Sequence, residues 1–220
     1  DEVDLDRYAA RTKLCAVLPR VFRTEDEALF REKLQRFPQL SAVAVGNLGH
    51  LPIVEGLGLE VRGDFGLNVF NSRALAFLRE LGLASATVSF ELRHQQVRDL
   101  AKLLPCEGIV YGRLPLMVME NCITKNNVGC RHGAGSTLTD RTGAQFPVQC
   151  VYGCRNEIEN SLPLFLADKA EWRGCGLTSA RLRFTTETAD ECAAVLRRYR
   201  GEGDYAPEKY TRGLFYRGVE

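Results

Sequence analysis

Short apolar runs alternate with amphipathic segments through roughly the first half of the chain. The apolar runs occupy residues 14–18, 42–45, 59–69, 86–90 and 109–111. Each run is long enough to hold one strand, and the segments between the runs have room for a helix. Strand followed by helix at this spacing is typical of βα units, which build a parallel sheet with right-handed crossovers.

The segments between the strands contain residues that begin and end helices. Thr24 and Glu27 have the spacing of a capping box, and Pro38 closes the helix that they open. Asn71 is expected to cap a second helix, and Gly82 has the place of the glycine that follows a helix end. These signals support the α/β pattern that the apolar runs indicate.

Five strands are too few to close an eight-stranded barrel. The predicted sheet is therefore either part of such a barrel or a small open α/β sheet. In both cases its unpaired edges require cover. That cover comes either from the later part of this chain folding back or from a partner, which includes a second copy of the chain.

The pattern changes after Met119, so we divide the chain into βα units at residues 1–119 and an extension at residues 120–220. Residues 120–160 are rich in Cys, Gly, Asn and Thr and show little periodicity. Within them, residues 137–146 predict a β-hairpin that turns at an Asp-Arg-Thr-Gly sequence.

The last clear element is a C-terminal helix. Thr188 and Glu191 form a second capping box at its start, and Gly201 ends it. Cys192 lies on the apolar face of this helix, and Cys15 lies inside the first apolar run. Both cysteines are expected to pack as small hydrophobic side chains.

Composition and charge exclude several classes of protein. Hydrophobic residues make up 45% of the chain and charged residues 26%, which is typical of a folded globular protein. The net charge of +1 gives no overall attraction to nucleic acid or to anionic membranes. No apolar run approaches the length of about eighteen residues that a membrane span needs. The acidic start has neither Met nor the apolar segment of a signal peptide, so we expect a cytoplasmic protein cut from a longer chain.

Four of the eight cysteines stand apart because they occur close together in the least regular part of the chain: Cys122, Cys130, Cys150 and Cys154. Without a secretion signal, such cysteines are expected to be reduced thiols or metal ligands. Four thiolates on irregular loops can hold a [4Fe–4S] cluster or a structural Zn²⁺. Only the last two have the short spacing of a zinc knuckle, and His132 is an alternative zinc ligand. The spacing leaves both metals open and favours iron–sulfur.

Polar residues follow the predicted strands at Asn47, Asp64, Asn68, Glu91 and Arg113. In a barrel, the carboxyl ends of the strands meet at one face, where function gathers. Arg113 is expected to bind a carboxylate or phosphate, with Asn68 beside it and Glu91 available for proton transfer. The alternative is an ion pair between Arg113 and Glu91 that serves only structure.

Basic and aromatic residues interleave near the end of the chain. The basic set is Arg197, Arg198, Arg200, Lys209, Arg212 and Arg217, and the aromatic set is Tyr199, Tyr205, Tyr210, Phe215 and Tyr216. Arginines neutralise phosphate and aromatic rings stack on bases, so this segment is one candidate for RNA binding. The alternative is a solvated helix face followed by a tail that docks on its own domain.

A series of short motifs resembles the peptidase U32, or collagenase-like, family from about residue 42 onward. Upstream, the motifs are GLNVFNS at 66–72, SFEL at 89–92 and YGRLPLM at 111–117. Around the cysteines, they are ENC at 120–122, LTDRTG at 138–143, FPV at 146–148, CRNEI at 154–158 and NSLPL at 160–164. Downstream, RFTTE at 183–187 and YTRGLFYRGV at 210–219 follow in the same order.

The resemblance implies an α/β fold: the late strands of a partial TIM-type (β/α) barrel, followed by a cysteine-rich extension with a β-hairpin and a C-terminal helix. It implies an enzyme with a [4Fe–4S] cluster on the four cysteines named above. Several branches of the family are linked to oxygen-independent hydroxylation of RNA or of a quinone precursor, in some with prephenate as hydroxyl source. The glutamate-to-cysteine motif of the first barrel half is absent, so the implied partner is the N-terminal U32 barrel of the same or a related chain.

Two rival functions follow from the same residues. The family label suggests a peptidase, yet the chain has neither an H-E-x-x-H nor a G-x-S-x-G motif, and its three histidines are scattered. The other rival is a non-catalytic repeat that uses a structural metal to dock on the first barrel.

Overall fold

The structure is a computed structural model that describes residues 4–130 and 136–218. Strands and helices alternate along these residues. The first half runs through α1 (Leu5–Ala9), β1 (Leu14–Val17), α2 (Glu27–Gln35), β2 (Leu40–Val45), α3 (Leu51–Val54), β3 (Glu60–Gly63), α4 (Ser72–Glu80), β4 (Ser85–Thr87), α5 (His94–Asp99) and β5 (Cys106–Gly112). The second half runs through β6 (Pro115–Met119), α6 (Ile123–Val128), β7 (Ser136–Thr139), β8 (Gln145–Val151), β9 (Arg155–Glu159), β10 (Leu164–Phe165), β11 (Ser179–Arg183) and α7 (Ala189–Tyr199).

The chain divides into two compact units. The first comprises Asp1–Gly108 with Cys175–Ser179, and the second comprises Ile109–Gly174 with Ala180–Glu220. The division falls inside β5, whereas the sequence analysis placed it after residue 119. Among the described residues of both units, no helix is long and apolar enough to cross a membrane.

Strands β1 to β5 form one sheet in chain order, and every neighbouring pair is parallel. A helix lies in each crossover, as the alternating pattern predicted. The later chain adds antiparallel β10 and also β11 to β5. The fold-back alternative for covering an edge is therefore confirmed at β5. This mixed α/β arrangement is consistent with part of a barrel.

The second strand of the sheet, β2, is largely buried, and the first strand β1 is not. Val43 and Val45 are both 0% exposed, as expected for a parallel strand covered on both faces. In β1, by contrast, Val17 is 63% exposed and Cys15 is exposed. The prediction that Cys15 is buried is wrong, because β1 ends the sheet and half of its side chains lack a covering layer.

The strand predicted within residues 59–69 is confirmed as β3, which stops at Gly63, and a 3₁₀ turn follows, Phe65–Leu67. The Asp64 carboxylate accepts the Phe65 N–H at 2.8 Å, which caps this turn. A side-chain carbon at Gly66 would lie 2.6 Å from the carbonyl oxygen of Gly46, so the turn approaches the end of β2 as only glycine allows.

The prediction of a capping box at Thr24 and Glu27 is wrong, because the box forms one residue earlier. Asp26 accepts the N–H of Arg23 at 3.0 Å, a 3₁₀ turn occupies Thr24–Asp26, and α2 begins only at Glu27. The helix ends at Gln35, before the predicted stop at Pro38.

Two other helix caps are confirmed. Asn71 accepts the Ala74 N–H at 3.0 Å at the start of α4, and Gly82 follows that helix with a φ of 84°. At the start of α7, Thr188 accepts the Glu191 N–H at 3.3 Å, and the Glu191 carboxylate accepts the Thr188 N–H at 2.7 Å. Both caps are purely local, which explains why the sequence predicts them.

The second unit contains a four-stranded antiparallel sheet in the order β6-β9-β8-β7. The predicted hairpin is confirmed as β7 and β8, and Asp140 at its turn accepts the N–H groups of Thr142 and Ala144 at 2.8 and 2.9 Å. Beside this sheet, Tyr111, Phe165 and Val195 form a buried cluster. The unit therefore has an apolar core of its own.

Two polar contacts fasten the end of the chain inside the second unit. The Tyr199 hydroxyl donates to the Val110 carbonyl at 2.6 Å and accepts the Leu166 N–H at 2.9 Å. The Arg212 guanidinium binds both oxygens of Asp168 and lies 4.7 Å from the centre of the Tyr210 ring. At Arg212, the structure thus shows the predicted alternative to RNA binding, a tail that docks on its own unit.

A pH test follows from the burial of His50, which is 0% exposed. Its Nε2 bonds to the Pro19 carbonyl at 3.1 Å and its ring stacks 4.6 Å from Phe22. Burial lowers the pKa of His50 below its ordinary 6.5, although the Pro19 carbonyl and the charge of Asp64 oppose the shift. The unfolded chain therefore binds a proton near this pH that the folded chain excludes, and the folded state loses stability as pH falls below about 6.5.

Between about pH 7.5 and 5.5, we expect the wild type to lose up to about 1.4 kcal/mol of unfolding free energy through this group. In His50→Gln, which cannot take up a proton, this contribution should vanish. Urea denaturation of both proteins at the two pH values measures it. Equal losses in the wild type and the variant would contradict the assignment.

Candidate functional site

Cys122 lies at the start of α6, where backbone and side-chain N–H groups point at its sulfur. Its Sγ accepts the Lys125 N–H at 3.3 Å and the Asn156 side-chain amide at 3.7 Å. Hydrogen bonds of this kind to a sulfur orient a metal-binding cysteine and tune the metal that it holds.

Cys150 and Cys154 lie on the strand and the turn that bring the chain back toward Cys122. Cys150 is on β8, directly opposite Asn156 on β9. Cys154 ends the 3₁₀ turn Tyr152–Cys154 between these strands and has a φ of 58°. A left-handed backbone at a residue other than glycine is unfavourable, and such conformations cluster at functional sites.

Asn156 connects these segments. It is 0% exposed, and its Oδ1 accepts the Ile123 N–H at 2.7 Å while its amide faces the Cys122 sulfur. Because it is also the cross-strand neighbour of Cys150, a single side chain links two of the predicted ligands.

The electrostatic surroundings of Cys150 include the fourth thiol, that of Cys130. Burial raises the pKa of Cys150 above its ordinary value, and negative charge on Cys122, Cys154 and Cys130 raises it further. Cys150 therefore lies within electrostatic range of the other three thiols. The four cysteines that the sequence singled out thus lie in one region of the second unit, and their geometry as a ligand set stays a prediction.

A buried cation borders the cysteines. The Arg155 side chain is 5% exposed, and its Nε donates to the Glu120 carboxylate at 2.9 Å. Its Nη1 donates to the Tyr152 carbonyl at 3.3 Å. Arg155 thereby ties the segment that precedes Cys122 to the turn that contains Cys154.

The donor set fits a metal or a cluster in chemical type. Cys122 is partly exposed, and Cys130, Cys150 and Cys154 are exposed. Within residues 4–130 and 136–218, no group of three or more His, Cys, Asp or Glu side chains is arranged to hold a metal ion. His132 lies outside the described residues. The iron–sulfur and zinc assignments both stay predictions.

Those residues predicted for the barrel mouth that belong to the first unit have local structural roles there. Asn47 accepts the Gly49 N–H at 2.9 Å, and Asn68 ends the 3₁₀ turn that follows β3 with a φ of 49°. The Glu91 N–H donates to the Ser89 hydroxyl at 3.3 Å. Asn68 and Glu91 belong to the first unit and Arg113 to the second. Their assembly into one site stays a prediction.

Arg113 holds a loop of the second unit. Its guanidinium donates to the Asn160 carbonyl at 2.9 Å, to the Ser161 carbonyl and to the Thr186 hydroxyl at 3.2 Å. These acceptors are neutral, so the positive charge of Arg113 is fixed in place without being neutralised by them.

The sequence analysis missed Asn156, Arg155 and Glu120. All three stand inside motifs that carried the family resemblance, within two residues of predicted ligands. Adjacency to a ligand was the available signal, but the contacts themselves join residues more than thirty positions apart.

The link through Asn156 is testable by a substitution that preserves its shape. Asn156→Asp keeps the acceptor for Ile123 but replaces the amide that faces Cys122 with a buried carboxylate oxygen. We expect a loss of about 1–3 kcal/mol in the unfolding free energy of the metal-free protein, measured by urea denaturation under reducing conditions.

Asn126→Asp is the matched control, because Asn126 is exposed on the same short helix α6. It should change the unfolding free energy by less than about 0.5 kcal/mol. Equal effects of the two substitutions would show that Asn156 does not organise the site.

A family model described as peptidase family U32 matches residues 6–145, well over half of the chain, and this span includes Cys122 and Cys130. Cys150 and Cys154 lie beyond the matched residues. No curated protein and no solved structure matches the chain. The extent of the family match shows that this chain belongs to peptidase family U32.

Proposed function

We propose that the chain is an iron–sulfur module of an enzyme that hydroxylates RNA or a small aromatic substrate without oxygen. The observation that supports the proposal is that Asn156 bonds to the Cys122 sulfur and lies opposite Cys150, which has the other thiols within electrostatic range. In this assignment Cys122, Cys130, Cys150 and Cys154 hold a [4Fe–4S] cluster. Prephenate is the hydroxyl source that the family resemblance implies, and the proposal assigns no described residue to it.

The donor set supports iron–sulfur over zinc. Its members are all thiols, which are the usual ligands of a [4Fe–4S] cluster, and His132 is not needed to complete it. When bound, such a cluster supplies redox chemistry. The chain's own contribution is to hold it: Asn156 orients Cys122, and Arg155 joins the two segments that carry Cys122 and Cys154.

The proposal includes a partner barrel. The β1 edge of the sheet carries exposed Val17 and Cys15, and edges of this kind favour pairing with another strand. A first U32 barrel, of the same or a related chain, is the occupant that we propose, and a second copy of this chain is the alternative. RNA remains the proposed substrate class, and Arg197 on α7 and Arg200 directly after this helix are exposed cations available to it.

A peptidase is the rival with the family's label. The histidine that a cysteine or serine nucleophile needs as a base must reach substrate. His50 is fully buried and bonded to the Pro19 carbonyl, so it does not serve this role. We expect no cleavage of gelatin or casein by the purified protein. Cleavage that an alkylating agent or a chelator abolishes, and that survives loss of iron, would replace the hydroxylase proposal.

The cluster itself is tested by metal analysis of anaerobically purified protein. We expect brown protein with about four iron and four sulfide per chain. Cys122→Ser and Cys154→Ser should each lose most of the iron and the visible absorbance, because both remove a ligand.

Cys192→Ser is the matched control, because Cys192 lies on α7 away from the four thiols in the chain. It should keep the full iron content. Stoichiometric zinc in colourless protein would overturn the iron assignment while keeping the site. Full iron in all three variants would overturn the site as well. Iron-loaded protein without zinc would exclude the zinc alternative for this site.

A further inference from the structure

A cleft in the second unit has not been assigned a role. Its volume is about 500 Å³, and it is lined by residues of β5, of the loop at residues 161–163, of the start of α7 and of residues 205–209. This volume lies in the range of roughly 300–1,000 Å³ that is typical of small-molecule sites.

The cleft is separate from the four cysteines. Gln145 lines it and is the first residue of β8, whereas Cys150 lies five residues further along the same strand. At a rise of about 3.3 Å per residue, the two positions are roughly 17 Å apart. A ligand in the cleft therefore does not need the cluster, and an inference about it goes beyond the proposed function.

Two cations face the cleft without an anionic partner among the described residues. Arg113 is fixed by the neutral oxygens of Asn160, Ser161 and Thr186. Lys209 is exposed at the cleft and forms no ion pair within the part of the chain that the structure describes. A fixed guanidinium beside a mobile ammonium is a suitable receptor for a carboxylate.

Three carboxylates face the same cleft, and two of them are held by neutral groups. Glu187 accepts the N–H groups of Thr185 and Thr186 at 2.7 and 3.0 Å, and Glu191 accepts the Thr188 N–H at 2.7 Å. Glu208 is exposed at the rim. Anions and cations thus line one cleft without pairing with each other, although ion pairs would form if their positions allowed it.

We infer that this cleft binds a small zwitterion of the amino-acid class, with its carboxylate at Arg113 and Lys209 and its ammonium at Glu191 and Glu208. Such a ligand neutralises both sets of charges at once. A dicarboxylate would place its second anion against the carboxylates of the cleft, and a diamine would meet Arg113. Unpaired charges of both signs in one cleft therefore favour a zwitterion over a dicarboxylate or a diamine.

The probes are the twenty standard amino acids, each titrated calorimetrically into the whole protein. At least one should bind. For each one that binds, the corresponding amine without the carboxylate and the corresponding acid without the ammonium should bind at least about tenfold more weakly, because each loses one charge-assisted contact. Binding of no amino acid at millimolar concentration would overturn the inference. So would an acid analogue that binds as tightly as its parent.

Two substitutions test the two ends of the cleft without disturbing the fold. Lys209→Gln removes one exposed charge, and Glu191→Gln removes a carboxylate while glutamine still completes the capping box of α7. Each should weaken binding of the same amino acid about tenfold. Lys33→Gln and Glu32→Gln remove exposed charges from α2, outside the cleft, and should leave binding unchanged.

Equal binding by wild type, Lys209→Gln and Glu191→Gln would show that the amino acid binds outside this cleft, and would overturn the assignment. Because the metal-free protein can be titrated, failure here is distinguishable from failure of the iron–sulfur proposal.

Discussion

The second unit depends on β9, a strand whose buried side chains are almost all polar. Arg155, Asn156, Glu157 and Glu159 are at most 9% exposed, and each bonds to residues outside the strand. Polar groups removed from water destabilise a fold unless they are bonded, so these positions specify which segments must lie against the strand. The thiol region is arranged by those bonds rather than by an apolar core.

The two ends of β9 have different functions. At its start, Arg155 and Asn156 hold the segment around Cys122. At its end, Arg183 binds both oxygens of Glu159 at 2.8 Å and one oxygen of Glu157 at 2.6 Å. Burial raises the pKa of Glu159, and the neighbouring Arg183 opposes this by favouring the ionised form. A buried pair of this type adds little net stability but strongly disfavours arrangements that leave either charge alone.

The sequence predicted what short-range rules determine. The caps at Asn71 and Thr188 and the hairpin at Asp140 were readable, because each depends on neighbours a few residues away. The parallel order of the first five strands was readable because strands that alternate with helices form parallel βα units. The capping box at Thr24 failed because Asp26 offers the same bond one register earlier. Cys15 was misplaced because edge position depends on the order of strands in space.

The sequence predicted which residues are candidate ligands, but it did not predict the contacts that position them. The grouping of the four cysteines was visible in the sequence, but the roles of Asn156 and Arg155 depend on contacts with residues more than thirty positions away. The neutral surroundings of Arg113 were equally hidden, since its partners at Asn160, Ser161 and Thr186 come from two later segments.

X-ray absorption at the iron edge of anaerobically purified protein tests the central claim most directly. A cluster on the four cysteines predicts iron surrounded by sulfur, with additional scattering from neighbouring iron atoms. Absorption at the zinc edge alone, with sulfur ligands and no second metal nearby, would contradict the account.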